Sequence, residues 1–159
     1  MKKPAKAPVA VPASEETSVL RKILVWLNAY PSLPAGALRY GQLISGVTSM
    51  ALHLETAAYK VREYISGGYQ AQMRLNLIYR VQPGESGNAR LAACEALNLL
   101  SDWATERTNY PVLGEDIVLQ KIATESRAAL LNEWEDGDED YGTTLILTYE
   151  VTKNDGFYV

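Results

Sequence analysis

Between Tyr59 and Val81 the chain reads YKVREYISGGYQAQMRLNLIYRV. Two runs rich in β-branched and aromatic residues flank Ser66-Gly67-Gly68, and adjacent glycines tolerate the positive φ that a tight hairpin turn requires. The second run alternates. Met73, Leu75, Leu77, Tyr79 and Val81 fall on one side, and Gln72, Arg74, Asn76 and Arg80 on the other, with Ile78 the exception. One apolar face and one wet face predict a strand of an antiparallel sheet covered on a single side. A second stretch repeats the pattern. In Tyr141–Val151, Thr143, Leu145, Leu147, Tyr149 and Val151 oppose Thr144, Ile146, Thr148 and Glu150.

Two helices are expected beside these strands. Val19, Leu20, Ile23, Leu24 and Leu27 recur at helical spacing up to about Ala29, and Val25 and Trp26 widen the stripe. Ser14 reads as the N-cap, with Glu15 and Glu16 in the first turn where the helix dipole favours anions. A second helix runs from a Ser86 cap through Gly87 to about Arg107. Ala89, Ala92, Ala93 and Ala96 form a small-residue side, continued by Leu97, Leu100, Trp103 and Ala104. Leu38–Ile44, Thr48–Glu55 and Ile117–Ala123 read as strands, with Ser45-Gly46 a turn between the first two. Arg127–Leu131 is short enough to be strand or helical turn.

The predicted fold class is α+β: a mainly antiparallel sheet with two helices packed on one face, plus an extended N-terminal arm. Residues 1–13, rich in Pro, Ala and Lys, form the arm, without a fold of its own; residues 14–152 form one domain, and 153–159 a tail without pattern.

Charge and residue chemistry narrow the function classes. With a net charge of −4, the 159-residue chain is not built mainly to grip nucleic acid. One cysteine, Cys94, excludes an intrachain disulfide and packs as a small hydrophobe. The apolar runs are too short for a membrane span, and no apolar stretch of the kind found in secretory signals follows Lys2, Lys3 and Lys6. His53 is the sole histidine and sits in a strand, where it reads as an ordinary surface or sheet residue in preference to a catalytic base, and one histidine with one cysteine cannot form a zinc site. Gly84-Glu85-Ser86-Gly87 is one residue short of a nucleophile elbow. Neither an enzyme nor a cofactor is expected.

Charge clusters in two places. Glu133–Asp140, EWEDGDED, holds six carboxylates. Asp136, Asp138 and Asp140 have the first three spacings of a calcium loop, but Tyr141 and Leu147 stand where that loop needs Gly and Glu, so an acidic turn is the better reading. Lys60, Arg62, Arg74 and Arg80 supply bases to the hairpin. They suit either a phosphate backbone or the acidic surface of a neighbour, and the acidic chain favours the second.

In order, the parts are a helix, antiparallel strands holding YISGGYQAQMRLNLIYRV, a helix with ALNLLSDWATE, a strand IVLQKIA, and EDGDEDYGTTLILTYEV. This series, over roughly residues 16–152, resembles the minor capsid or tail-completion proteins of tailed bacteriophages, and among them the tail terminator group. The Gly-Gly hairpin and the terminal DYxxxLxLTYEV stretch carry the likeness. The arm before Ser14 has no counterpart in it.

The resemblance implies a homo-oligomeric ring, commonly of six copies, at the head-proximal end of the virion tail, made in the host cytoplasm. Its partners would be the tail tube protein and a head-completion or connector protein, with DNA passing through the channel unbound by sequence. In such a ring, Asp136, Asp138, Glu139 and Asp140 would face Arg74 or Arg80 of a neighbour, or would line the channel. The alternatives are a small α+β ligand-binding module or enzyme with an unidentified pocket, and a nucleic-acid-associated protein using the arm and the strand arginines.

Overall fold

The computed structural model describes residues 9–33, 38–41, 43, 48–82, 84 and 87–152. In chain order the elements are β1 (Val9–Ala10), α1 (Ala13–Asn28), β2 (Leu38–Tyr40), β3 (Ser49–Glu63), β4 (Tyr69–Val81), α2 (Gly87–Thr105), a 3-10 turn (Arg107–Asn109), β5 (Ile117–Glu133) and β6 (Glu139–Val151). They form an α+β fold: a six-stranded, mostly antiparallel sheet with both helices on one face.

Alternation places β4 and β6 at the centre. Tyr69, Ala71, Met73, Leu75 and Leu77 are at most 1% exposed, and Thr143, Leu145, Leu147 and Tyr149 are buried beside them. The two strands pair antiparallel without a break from Tyr69↔Val151 to Val81↔Glu139. β3 lies outside β4, and β5 outside β6. The outer edge of β3 carries β2, parallel at Met50–Leu52, and β1, antiparallel at Tyr59 and Lys60.

Where alternation fails along the sequence, the strands continue through bulges. The two strands expected over Thr48–Glu55 and from Tyr59 are a single β3, with register shifts between Leu54, Thr56 and Tyr59 and again before Arg62. Likewise Arg127–Leu131 is the second half of β5, which shifts register four times against β6. Each shift admits an extra residue and reverses which side chains face the core, so the period-2 signal disappears while the pairing persists.

The helices seal the apolar face. α1 buries Val19, Leu20, Ile23 and Leu27, and α2 buries Ala93, Leu97, Leu100 and Ala104. Trp26 stacks on Trp103 with ring centroids 5.0 Å apart and donates through Nε1 to the Asn109 carbonyl at 2.7 Å. The Asn28 side-chain amide bonds both backbone groups of Leu38, tying β2 to the end of α1.

Several expectations need correction. Pro12, not Ser14, is the N-cap of α1, and no side chain caps it. Proline fits the start of a helix because the missing N–H would have had no helical partner. Val25 is 72% exposed, so α1 is buried on one side with Trp26 at its margin. Ala92 is exposed, and the close-approach side of α2 narrows to Ala93 and Ala104. Val9 and Ala10, expected in the arm, pair with β3, and Val11 is buried. Lys2, Lys3, Lys6, the Ser45-Gly46 turn, the Ser86 cap and the 153–159 tail lie outside the described residues.

The topology contains a duplication. Helix, strand, turn, strand occurs twice, and adding 70 to a residue number carries β4 onto β6 and Gly67 onto Gly137. Leu75 pairs with Leu145, its own counterpart, so a local twofold axis passes between them. Short likenesses follow: Glu63-Tyr64-x-x-Gly67 with Glu133-Trp134-x-x-Gly137, and Tyr79-Arg80-Val81 with Tyr149-Glu150-Val151.

Beneath the start of α1, Glu15 accepts hydrogen bonds from the hydroxyls of Tyr69 and of Tyr149, the latter at 3.1 Å. Burial, together with this carboxylate, pushes both phenols well above their ordinary pKa of 10.0. The unfolded chain would ionise them near pH 10 while the folded one retains their protons. Stability is therefore expected to be fully present below pH 10 and to fall as pH rises beyond it. Urea midpoints measured from pH 8 to 11 check this, and Tyr149→Phe should flatten the alkaline limb.

Candidate functional site

Because β4 and β6 run antiparallel in register, the two hairpins end at opposite poles of the sheet. Their turns share one backbone design. Tyr64 N donates to Gly68 O at 2.8 Å and Gly67 N to Tyr64 O at 3.0 Å; Trp134 N donates to Asp138 O at 2.8 Å and Gly137 N to Trp134 O at 2.9 Å. Gly67 and Gly137 take φ of 90° and 95°, conformations that a side chain would strain. The backbones match while the side chains differ in charge.

At the Trp134–Asp138 pole, the expected acidic cluster separates into an inner and an outer set. Asp140 lies opposite Arg80 in the strand pairing and binds it twice, at 2.7 Å to Nε and 2.9 Å to Nη2. Trp134 Nε1 donates to the second oxygen of Asp140 at 2.8 Å, and the Arg80 guanidinium sits 5.4 Å from the Trp134 ring centre. Hydrogen bonding to Asp140 raises the Arg80 pKa further, with the nearby carboxylates adding to it and burial opposing. Asp138 is 1% exposed, its N–H bonded to Asp136 Oδ1. Glu139 takes Arg90 at 2.7 Å and the Tyr141 hydroxyl at 3.1 Å. Glu133, Glu135 and Asp136 remain at the surface, around a hollow of about 580 Å³ that Trp134 and Arg80 also line.

The bases also part company. Arg74 is bound within its own chain by Glu55, at 3.6 Å, and by Glu125. Lys60 pairs across the strands with buried Ala71, so the bulges have turned it toward the helix side, where it lies 4.5 Å from the Tyr69 ring centre and 3.4 Å from Glu63. Arg62, opposite Gln70, is exposed and has no ion pair among the described residues. Beside it, Ile65 at the tip of the turn is 98% exposed.

Within the chain both arginines expected to meet a neighbour's acidic turn have carboxylate partners, Asp140 for Arg80 and Glu55 with Glu125 for Arg74. Asp138 and Asp140 are likewise interior groups. The four expected bases do not form one track, since Lys60 is turned to the helix side and Arg80 is buried against Asp140. The open sheet face carries a polar ladder instead: Gln70–Gln120, Gln72–Thr148 and Asn76–Thr144 bridge its strands. Exposed His53 lies beyond Asn76 on the same face. Cys94 is partly buried against the core, and burial pushes its thiol pKa up.

In the sequence Trp134 and Ile65 each stand as one apolar residue within a turn, with no pattern of their own. The signal that marks them is the repeated Glu-aromatic-x-x-Gly. No protein-family model and no curated protein matches this chain. Among the described residues, no helix is long and apolar enough to cross a membrane.

The Arg80–Asp140 pair is buried, so removing one partner strands a charge. Arg80→Met is expected to cost about 3–5 kcal/mol, and Arg80→Met with Asp140→Leu to recover most of that loss. Urea unfolding of the four members of the double-mutant cycle measures both.

Proposed function

We propose that this chain is a structural assembly protein of a tailed bacteriophage, of the tail terminator type. Copies close into a ring, six in the reading that the resemblance favours, which caps the tail tube and joins it to the head-completion proteins. It acts without turnover, and DNA passes through the ring without specific binding.

One observation carries the reading beyond the sequence likeness. The molecule ends in two turns of the same backbone shape at opposite poles of the sheet, one without a charged residue and one with three carboxylates. Unlike surfaces at opposite poles make head-to-tail contacts, and such contacts close into rings when the rotation between copies allows. The stretches that carry the resemblance, the Gly-Gly hairpin and the terminal strand, contribute the paired centre on which both turns are mounted.

The purified full chain is expected to give a concentration-dependent ring mass by light scattering, and a ring at one end of tail tubes in negative-stain images. A monomer at every concentration, with bare tube ends, would overturn this function.

A further inference from the structure

We infer that copies of this chain meet through their two hairpin turns, with the Tyr64–Gly68 turn of one seated in the hollow beside the Trp134–Asp138 turn of the next. The inference takes closure into a ring from the function proposed above and adds which surfaces touch.

Ile65 supplies the first argument. An isoleucine 98% exposed at the tip of a turn has no packing role in its own fold, and its apolar surface gains by leaving water. At the other pole the hollow presents a matching platform. Trp134 is 47% exposed, yet held rigidly, by its hydrogen bond to Asp140 and by Arg80 against its ring. A half-exposed tryptophan with its position already fixed loses little freedom on binding and is a residue type enriched among binding hot spots.

Charge then sets the occupant as a second copy. Arg62 lies three residues before Ile65 and is exposed; the intervening Glu63 is paired with Lys60 at 3.4 Å, which leaves Arg62 as the uncompensated charge there among the described residues, while Glu133 and Glu135 are exposed around the hollow. The opposite arrangement, acidic turn on acidic turn, would bring like charges together and is disfavoured. The two poles differ, so the contact is head to tail and leaves each end of a growing chain of copies open for the next. The acidic turn is thereby assigned to the junction between subunits, not to the channel wall. Asp138 and Asp140 take no direct part, being interior.

The test uses the full chain in a Cys94→Ser background, with folding verified by circular dichroism. Ile65→Cys chains mixed with Glu135→Cys chains under mild oxidation are expected to give a 65–135 linked dimer. The variant carrying both cysteines is expected to give a ladder that stops at the ring number. Independently, Arg62→Glu should weaken self-association by at least about tenfold, and Arg62→Glu with Glu135→Arg should restore it to within about threefold. If the unmodified protein assembles but no 65–135 link forms and Arg62→Glu changes nothing, the contact is wrong and the ring reading stands. If the unmodified protein neither assembles nor caps tail tubes, both fall.

Discussion

The pairing of β4 with β6 is the constraint on which the rest of this structure depends. Thirteen consecutive residues of each strand face one another without a bulge, so every side chain on both strands has an assigned face. One face presents Met73, Leu75, Leu77, Leu145 and Leu147 to the helices, and each such fully buried side chain contributes about 1.5–3 kcal/mol. A slip of one residue by either strand would turn that strand's own set into water. The irregular outer strands, with their repeated register shifts, are tolerable because the central pair does not share them.

The same pairing explains why the two ends of the molecule correspond. A local twofold axis between Leu75 and Leu145 maps one turn onto the other, and glycine at 67 and 137 lets both adopt the same left-handed step. Equivalent backbones then carry different cargo. One turn displays Ile65 with Arg62 nearby; the other displays Trp134 among carboxylates. Twofold symmetry kept in the chain path but broken in charge converts a self-complementary shape into a polar one. A subunit of that kind suits heterologous assembly, whereas a symmetric one would favour closed pairs.

The inner carboxylates have a different task from the outer ones. Asp140 is flanked by Arg80 and by the Trp134 indole, so an acidic stretch that looks uniform holds one interior ion pair. That pair fixes the tryptophan, which is the side chain most suited to contact. Buried charge here positions a surface group; its net effect on stability is set against the cost of desolvating both ions. Arg74, in turn, is engaged by Glu55 and Glu125 within the chain, leaving Arg62 as the exposed base beside the other turn.

Much of the fold was legible because it rests on local periodicity. The alternation in Tyr69–Val81 and in Tyr141–Val151, the Gly67-Gly68 turn, and the stripes of α1 and α2 follow from the geometry of strand and helix alone. The sequence by itself therefore determined the α+β class, the central strands and their buried faces. Other features were set by pairing between distant segments: the joining of Thr48–Glu55 to the hairpin, the strand character of Arg127–Leu131, and the turning of Lys60 toward the helices. A bulge is defined by the neighbouring strand, and no residue in it announces the shift. Partner choice among charges is of the same kind. Arg80 and Asp140 stand 60 residues apart and meet because β4 and β6 align them. Only tertiary structure decided which charges are interior and which face outward, because burial is a property of what packs against a residue and not of the residue itself.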